Sequence, residues 1–254
     1  MDGLLDLVGS RDMDAQVLDL QVKVNTGTSW TRNEQFDKDG YLIIKNIWDP
    51  AQLYHPVPPV RGLLNFFDKD PTHFEHELIE QQVEGSCSRY WHPMYRTIHT
   101  DIRLKLEKVL GRKLYNTYYY DRYYFPGQVL DKHADRDACE ISVTVHIGTN
   151  LPDELKDWPI KIETPSTYDD TYEKVLVEGE ERSCVLNPGD GMVYKGCERP
   201  HWRDPMPSPQ PRKRDWFLKK IGRYEEVEYY YHQIFFHYVL ADGVRSHCAY
   251  DCSR

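Results

Sequence analysis

No stretch of these 254 residues is apolar for long enough to span a bilayer, so no membrane partner is expected. The chain starts Met-Asp-Gly-Leu-Leu-Asp-Leu-Val-Gly, acidic where a secretory leader is basic and with its apolar run broken, so no signal peptide is read there. The six cysteines, at 87, 139, 184, 197, 248 and 252, lack the tight spacing of a disulfide framework; reduced thiols and a cytoplasmic location follow as the expectation. His247, Cys248 and Cys252 could bind a metal, but their terminal position favours a frayed tail. Positive charge is in deficit, with a formal net charge of −9, which argues against a generic polyanion-binding surface and so against nucleic acid as a partner. Internal repeats are absent.

What is present is a large core and many tyrosines. Hydrophobic residues make up 40% of the chain, and the 19 tyrosines suit pleated, half-buried strands. Residues 1–33, polar with scattered leucines, read as an N-terminal arm, 34–240 as one domain, and 241–254 as a C-terminal tail. After the turn signal Asp39-Gly40, Tyr41 to Ile47 reads as a strand, and Pro50 to Pro59 as a proline-rich loop. Between Met94 and Leu110, the apolar positions Ile98, Ile102, Leu106, Val109 and Leu110 have helical spacing, with Gly111 as the stop. Beyond Gly111 the pattern turns to short strands: Leu114 to Phe125, Ile141 to Ile147, Ile160 to Glu163, Lys174 to Val177, Ser183 to Leu186, Met192 to Tyr194 and Gln233 to Leu240. Gly179 to Arg182 and Asn187 to Asp190 read as hairpin-like turns. Many short strands with Gly, Pro and Asn between them indicate a sandwich or barrel.

The chemistry-bearing feature is His133-Ala134-Asp135, joined far downstream by His201. Two imidazoles and a carboxylate can hold one face of an octahedral metal and leave the opposite face open, the arrangement of non-haem iron(II) oxygenases. His-x-Asp alone is weak, and the chain carries its own control, His99-Thr100-Asp101. On a helix, residues i and i+2 point apart; on extended chain they share a face. His133 and Asp135 follow the Pro126-Gly127 turn and can aim at one point, whereas the helical pair at 99 and 101 cannot. His201 is the third ligand by context, following the strand opened by Pro188-Gly189-Asp190. His146, His232 and His237 are its rivals, and His146 could line the same cavity.

The run Tyr118-Tyr119-Tyr120-Asp121-Arg122-Tyr123-Tyr124-Phe125-Pro126-Gly127-Gln128, then His133-Ala134-Asp135, then Ile141 to Gly148, resembles the core of prolyl-4-hydroxylase-type iron(II)- and 2-oxoglutarate-dependent oxygenases. Asn187-Pro188-Gly189-Asp190-Gly191-Met192-Val193-Tyr194 before His201 is similar to the turn and strand that bring their distal histidine. Gln35 to Ile47 resembles the first strand of phytanoyl-type members. The resemblance covers residues 34–240. It implies a mainly β fold with flanking helices, a double-stranded β-helix or cupin-like jelly roll, with Fe(II), 2-oxoglutarate and O₂ as the cofactor and cosubstrates. It further implies an enzyme that hydroxylates an unactivated C–H bond and releases succinate and CO₂. Asp135 argues against a halogenase, which needs that position vacant.

In such enzymes an Arg or Lys on the strand after the distal histidine holds the far carboxylate of the 2-oxoglutarate cosubstrate. Here Tyr229 to Val239 contains neither. Two substitutes are expected. Arg203 shares a face with His201, and Arg122 shares a strand face with Tyr118, Tyr120 and Tyr124. Trp91, Tyr95, Trp202 and Trp216 could wall a substrate pocket, though such residues are more often core. Pro50 to Arg89 and Pro205 to Arg223 are the expected lids, and the basic residues Arg212 to Arg214, Lys219 and Lys220 read as a solvated face or part of a lid. A small-molecule substrate, an amino acid or natural-product intermediate, is favoured because no extra peptide-binding domain fits the length. A peptide hydroxylase and a non-catalytic metal-binding jelly roll are the alternatives. The sequence does not give the oligomeric state.

Overall fold

Alternation along the long strands decides the layering of this computed structural model, which describes residues 31–52, 75–76, 82–164, 167–168, 175–177, 179–210, 217, 219–222 and 229–250. In β6 (Ile141–Thr149), Ile141, Val143, Val145 and Ile147 project to one face and join a cluster built on the helix Tyr95–Leu110. Ser142, Thr144 and His146 project to the other. The strand Tyr231–Leu240, β13, divides in the same way: Ile234, Phe236 and Tyr238 meet the helix, and Tyr231 and Phe235 enter the barrel interior. In β4 (Leu114–Tyr124), Tyr119 takes the helix side while Tyr118, Tyr120 and Tyr124 take the interior.

In chain order the elements are α1 (Glu34–Asp39), β1 (Tyr41–Ile44), β2 (Glu75–His76), β3 (Cys87–Tyr90), α2 (Tyr95–Leu110), β4, β5 (Leu130–His133), β6, β7 (Ile160–Thr164), β8 (Thr167–Tyr168), β9 (Val175–Val177), β10 (Glu180–Cys184), β11 (Gly191–Tyr194), β12 (His201–Arg203) and β13. A seven-stranded sheet, ordered β1-β11-β6-β13-β4-β3-β2, packs against a four-stranded sheet, β10-β7-β12-β5; β8 and β9 pair separately. Every pairing is antiparallel. The fold is a double-stranded β-helix. Between the sheets, Ile160 and Ile162 of β7 meet Met192 and Tyr194 of β11. α2 covers the outer face of the larger sheet. No helix among the described residues is long and apolar enough to cross a membrane.

Local chemistry explains the helix ends. Asn33 caps α1 by accepting from the Phe36 N–H at 2.9 Å. Gly111 ends α2 in the left-handed region at φ 63°, and a Cβ there would stand 2.0 Å from Thr31 O. On the helix side of the larger sheet, Asp121 is fully buried between Arg89 Nη2 at 2.5 Å and His232 Nε2 at 2.8 Å. Burial opposes the Asp121 charge, but Arg89 and His232 outweigh it and hold the carboxyl far below the usual range.

Several expectations need correction. The stretch 34–39 forms a helix, so Asp39-Gly40 is that helix's C-terminus and not a free turn. The strand placed at Ser183 to Leu186 is Glu180–Cys184, and most of the supposed turn Gly179 to Arg182 is extended, pairing with β7. The first strand stops at Ile44. Fraying does not extend over 241–250: Arg245 Nε donates to Asp137 at 2.8 Å, and the Tyr250 N–H donates to Asn116 O at 2.7 Å. Residues 1–30 of the arm, most of the first supposed lid, part of the second including Arg212 to Arg214 and Trp216, and Cys252 lie outside the described residues. Lys219 and Lys220 are described, and both are exposed.

Candidate metal centre

Strand pairing builds the centre. β12 runs antiparallel to β5 with His201 directly opposite His133, and the two rings stand 4.4 Å apart. Two residues past His133, the backbone N–H of Asp135 donates to Gly196 O at 2.9 Å, which returns the chain to the same place. Nε2 of His133 and Nε2 of His201 each lie 3.6 Å from Asp135 Oδ1. Ligand atoms on one small cation stand about 3 Å apart when each is about 2.1 Å from it, so a slight inward movement closes the set.

The proton positions suit a metal. His133 Nδ1 is 2.7 Å from Asp131 O, and His201 Nδ1 is 3.0 Å from Arg199 O. A carbonyl oxygen only accepts, so both Nδ1 atoms carry the hydrogen and both Nε2 atoms present a lone pair. Asp135 Oδ2 accepts from Ser142 Oγ at 2.9 Å, which leaves Oδ1 for the cation. Gly196 makes this approach possible, because a Cβ there would lie 2.4 Å from Asp135 Oδ2, 2.3 Å from Cys139 O and 2.7 Å from Ser142 Oγ. Gly196→Ala therefore displaces the carboxylate. Titration calorimetry with Mn(II) is expected to show affinity lower by about 10- to 100-fold, the range for lost ligand support. An unchanged affinity would refute this role for Gly196.

Electrostatics set the pH response. Burial opposes ionisation of Asp135, but His201 and His133 beside it hold its carboxyl well below the usual range. Burial lowers His201 below the ordinary 6.5. Burial also works against His133, yet the Asp135 carboxylate outweighs it and raises that imidazole above 6.5. A cation needs both rings neutral, so protons compete for His133 first. Metal affinity is expected to level off above the raised His133 pKa and to fall about tenfold per pH unit below it. A break below 6.5 in Mn(II) affinity measured against pH would contradict this.

The triad opens on a cavity also lined by Gln82, Tyr120, Arg122, Arg203, Phe235 and His237. Arg203 is 1% exposed. Its Nη1 donates to Trp158 O at 2.6 Å, while Nε and Nη2 have no hydrogen-bond partner among the described residues. Its guanidinium lies 4.5 Å over the Trp158 ring and 5.1 Å from that of Tyr231. Arg122, on the opposite sheet, donates to Ser88 Oγ, Gln82 Oε1 and Tyr124 Oη at 3.1, 3.0 and 3.2 Å. Three residues expected at the cosubstrate are not among the cavity-lining ones. Tyr118 Oη bonds Cys139 Sγ, Tyr124 Oη accepts from Arg122, and His146 stacks on Tyr231 with rings 4.0 Å apart.

Of the aromatic residues expected to wall the pocket, Trp91, Tyr95 and Trp202 do not line it, and Trp216 lies outside the described residues. Tyr95, the first residue of α2, is buried against Tyr119, Trp91 packs on Tyr118 and Tyr119, and Trp202 lies beneath Lys132. The control pair stays apart from the metal centre: His99 is buried in α2 with Nε2 on His237 O, and burial pushes its pKa down to about 3. Sequence reasoning missed Gln82, whose Nε2 donates to the His133 Nε2 lone pair at 2.8 Å. It weighed His237 only as a rival to His201; burial holds this imidazole neutral, its pKa pushed down to about 4. The period-2 pattern of β13 was the signal that could have placed His237 inside. Nothing comparable marks Gln82.

No family profile matches this chain, and no curated protein sequence matches it. Solved structures share its fold. The non-haem α-ketoglutarate-dependent epimerase SnoN from nogalamycin biosynthesis superposes with a TM-score of 0.51 at 11% identity, over 80% of this chain and 78% of that one. A prolyl-4-hydroxylase from Pseudomonas putida gives 0.47 at 13% identity, over 80% and 95%. HygX from Streptomyces hygroscopicus, with nickel and 2-oxoglutarate bound, gives 0.44 at 10%, over 80% and 84%.

Proposed function

We propose that this chain is an Fe(II)- and 2-oxoglutarate-dependent oxygenase that hydroxylates a C–H bond of a small molecule. One observation carries the reading: the His133, Asp135 and His201 ligand atoms share a cavity with a fully buried arginine, Arg203, two of whose nitrogens have no hydrogen-bond partner among the described residues. Two neutral imidazoles and one carboxylate fit iron(II) with open positions. Arg203 fits the far carboxylate of a dicarboxylic cosubstrate, since a guanidinium matches a carboxylate in two parallel hydrogen bonds. Iron with 2-oxoglutarate would supply the oxidising chemistry: O₂ and the keto acid give succinate and CO₂, one oxygen atom entering succinate and the other the substrate C–H bond.

The chain's own residues do the rest. Ser142 and Gly196 fix the carboxylate, Asp131 O and Arg199 O fix the imidazoles, and Tyr120 and Phe235 form apolar walls that exclude water. A compact substrate is favoured because Arg203, Arg122 and His237 are each no more than 3% exposed. The test is succinate release from 2-oxoglutarate with Fe(II) and O₂ across panels of amino acids, natural-product intermediates and proline-containing peptides. Release with a small molecule supports the reading, and release with peptides alone moves it to a peptide hydroxylase. No release and no oxygen uptake with any compound leaves a metal-binding jelly roll.

A further inference from the structure

Ser142 dictates where the proton sits on His237. The two residues are registered opposite each other on β6 and β13. Ser142 Oγ lies 2.9 Å from Asp135 Oδ2, 3.1 Å from Cys139 O and 2.9 Å from His237 Nδ1. A carboxylate and a carbonyl only accept, so the single hydroxyl proton goes to one of them. Ser142 must then accept from His237, which puts the imidazole hydrogen on Nδ1. The neutral ring carries its lone pair on Nε2. That atom is sealed from solvent and has no hydrogen-bond partner among the described residues, and His237 lines the cavity of the metal triad. The ring is clamped by stacking on Tyr118 at 4.5 Å and Tyr120 at 5.8 Å. A buried acceptor without a donor is unfavourable unless a ligand brings one.

We propose that His237 Nε2 accepts a hydrogen bond from the substrate, which therefore carries a hydroxyl or amine beside the carbon that reacts. This rests on the oxygenase reading above. The cosubstrate cannot fill the role: 2-oxoglutarate has two carboxylates and a keto oxygen, and none of them donates at neutral pH. A substrate donor thus answers a demand that neither the described residues nor the cosubstrate meets. His237 is in this account a specificity-determining residue that distinguishes a substrate from its deoxy or desamino analogue.

Two measurements test this. In metal-free protein labelled with ¹⁵N-histidine, and with His237 assigned through His237→Phe, the Nε2 resonance is expected to be that of an unprotonated nitrogen. An Nε2–H tautomer overturns the proposal and leaves the oxygenase reading intact. The second uses whichever panel compound supports succinate release. His237→Phe keeps the stacked ring and is expected to raise the KM for that compound by about tenfold, the equivalent of about 1.4 kcal/mol, while the cosubstrate KM stays unchanged. His237→Gln, which restores an acceptor, is expected to recover part of the loss. A substrate with no hydroxyl or amine, or a KM change confined to the cosubstrate, overturns the proposal. Absence of succinate with every compound instead removes the oxygenase reading on which it rests.

Discussion

Asp135→Ala is expected to abolish succinate release and to lower Mn(II) affinity by more than about 100-fold, beyond the loss seen when only a ligand's support is removed. The carboxylate brings the one negative charge of the set, and its Oδ1 is the atom equidistant, at 3.6 Å, from both imidazoles. Without it, two neutral rings face a divalent cation with no compensating charge. His99→Ala is the matched control, because His99-Thr100-Asp101 repeats the motif spacing on α2. His99 is packed among Tyr119, Phe236 and Tyr238, so its loss is expected to lower the melting temperature while leaving Mn(II) affinity in place. Equal loss of metal binding in both variants would overturn the ligand assignment. Calorimetry reads this before any substrate is known.

The same pair of motifs shows what the sequence could and could not disclose. The two motifs have the same spacing; the local structure read around them distinguished His133 and Asp135 from His99 and Asp101, because helix and extended chain place i+2 differently. The helix stop at Gly111 was legible because only glycine enters the left-handed region at little steric cost. The strands that carry the ligands were not. β5 has four residues and β12 three, too few to show a period. β4 shows no alternation, because Tyr119 and Tyr123 are as buried on one face as Tyr118 and Tyr120 are on the other. The aromatic residues expected to wall the pocket illustrate the converse: Tyr95 and Trp91 look like pocket residues by composition, yet both pack on Tyr119, on the outer face of β4. Gln82 reached the centre from a stretch with no periodic pattern at all.

Arg203→Met is expected to separate stability from function. The residue is 1% exposed, hydrogen-bonds Trp158 O and the Tyr231 side chain, and leaves Nε and Nη2 without a partner among the described residues. Holding a guanidinium in that state costs folding free energy, and an apolar side chain of similar length removes the cost. The melting temperature of the ligand-free variant should therefore hold or rise. Affinity for 2-oxoglutarate should fall by about 2–5 kcal/mol, the cost of truncating one partner of a buried charge pair, which is roughly 30- to several-thousand-fold in Kd. Arg122→Met makes the opposite prediction. Its guanidinium bonds Ser88, Gln82 and Tyr124, so removing it strips partners from several buried groups, lowers the melting temperature and changes 2-oxoglutarate affinity less. Calorimetric titration with 2-oxoglutarate in the Mn(II)-loaded protein, beside thermal melts, decides between them. If Arg122→Met carries the affinity loss and Arg203→Met does not, the anchor is on β4. The missing basic residue of β13 would then be replaced from the larger sheet, and the unpartnered nitrogens of Arg203 would need another ligand.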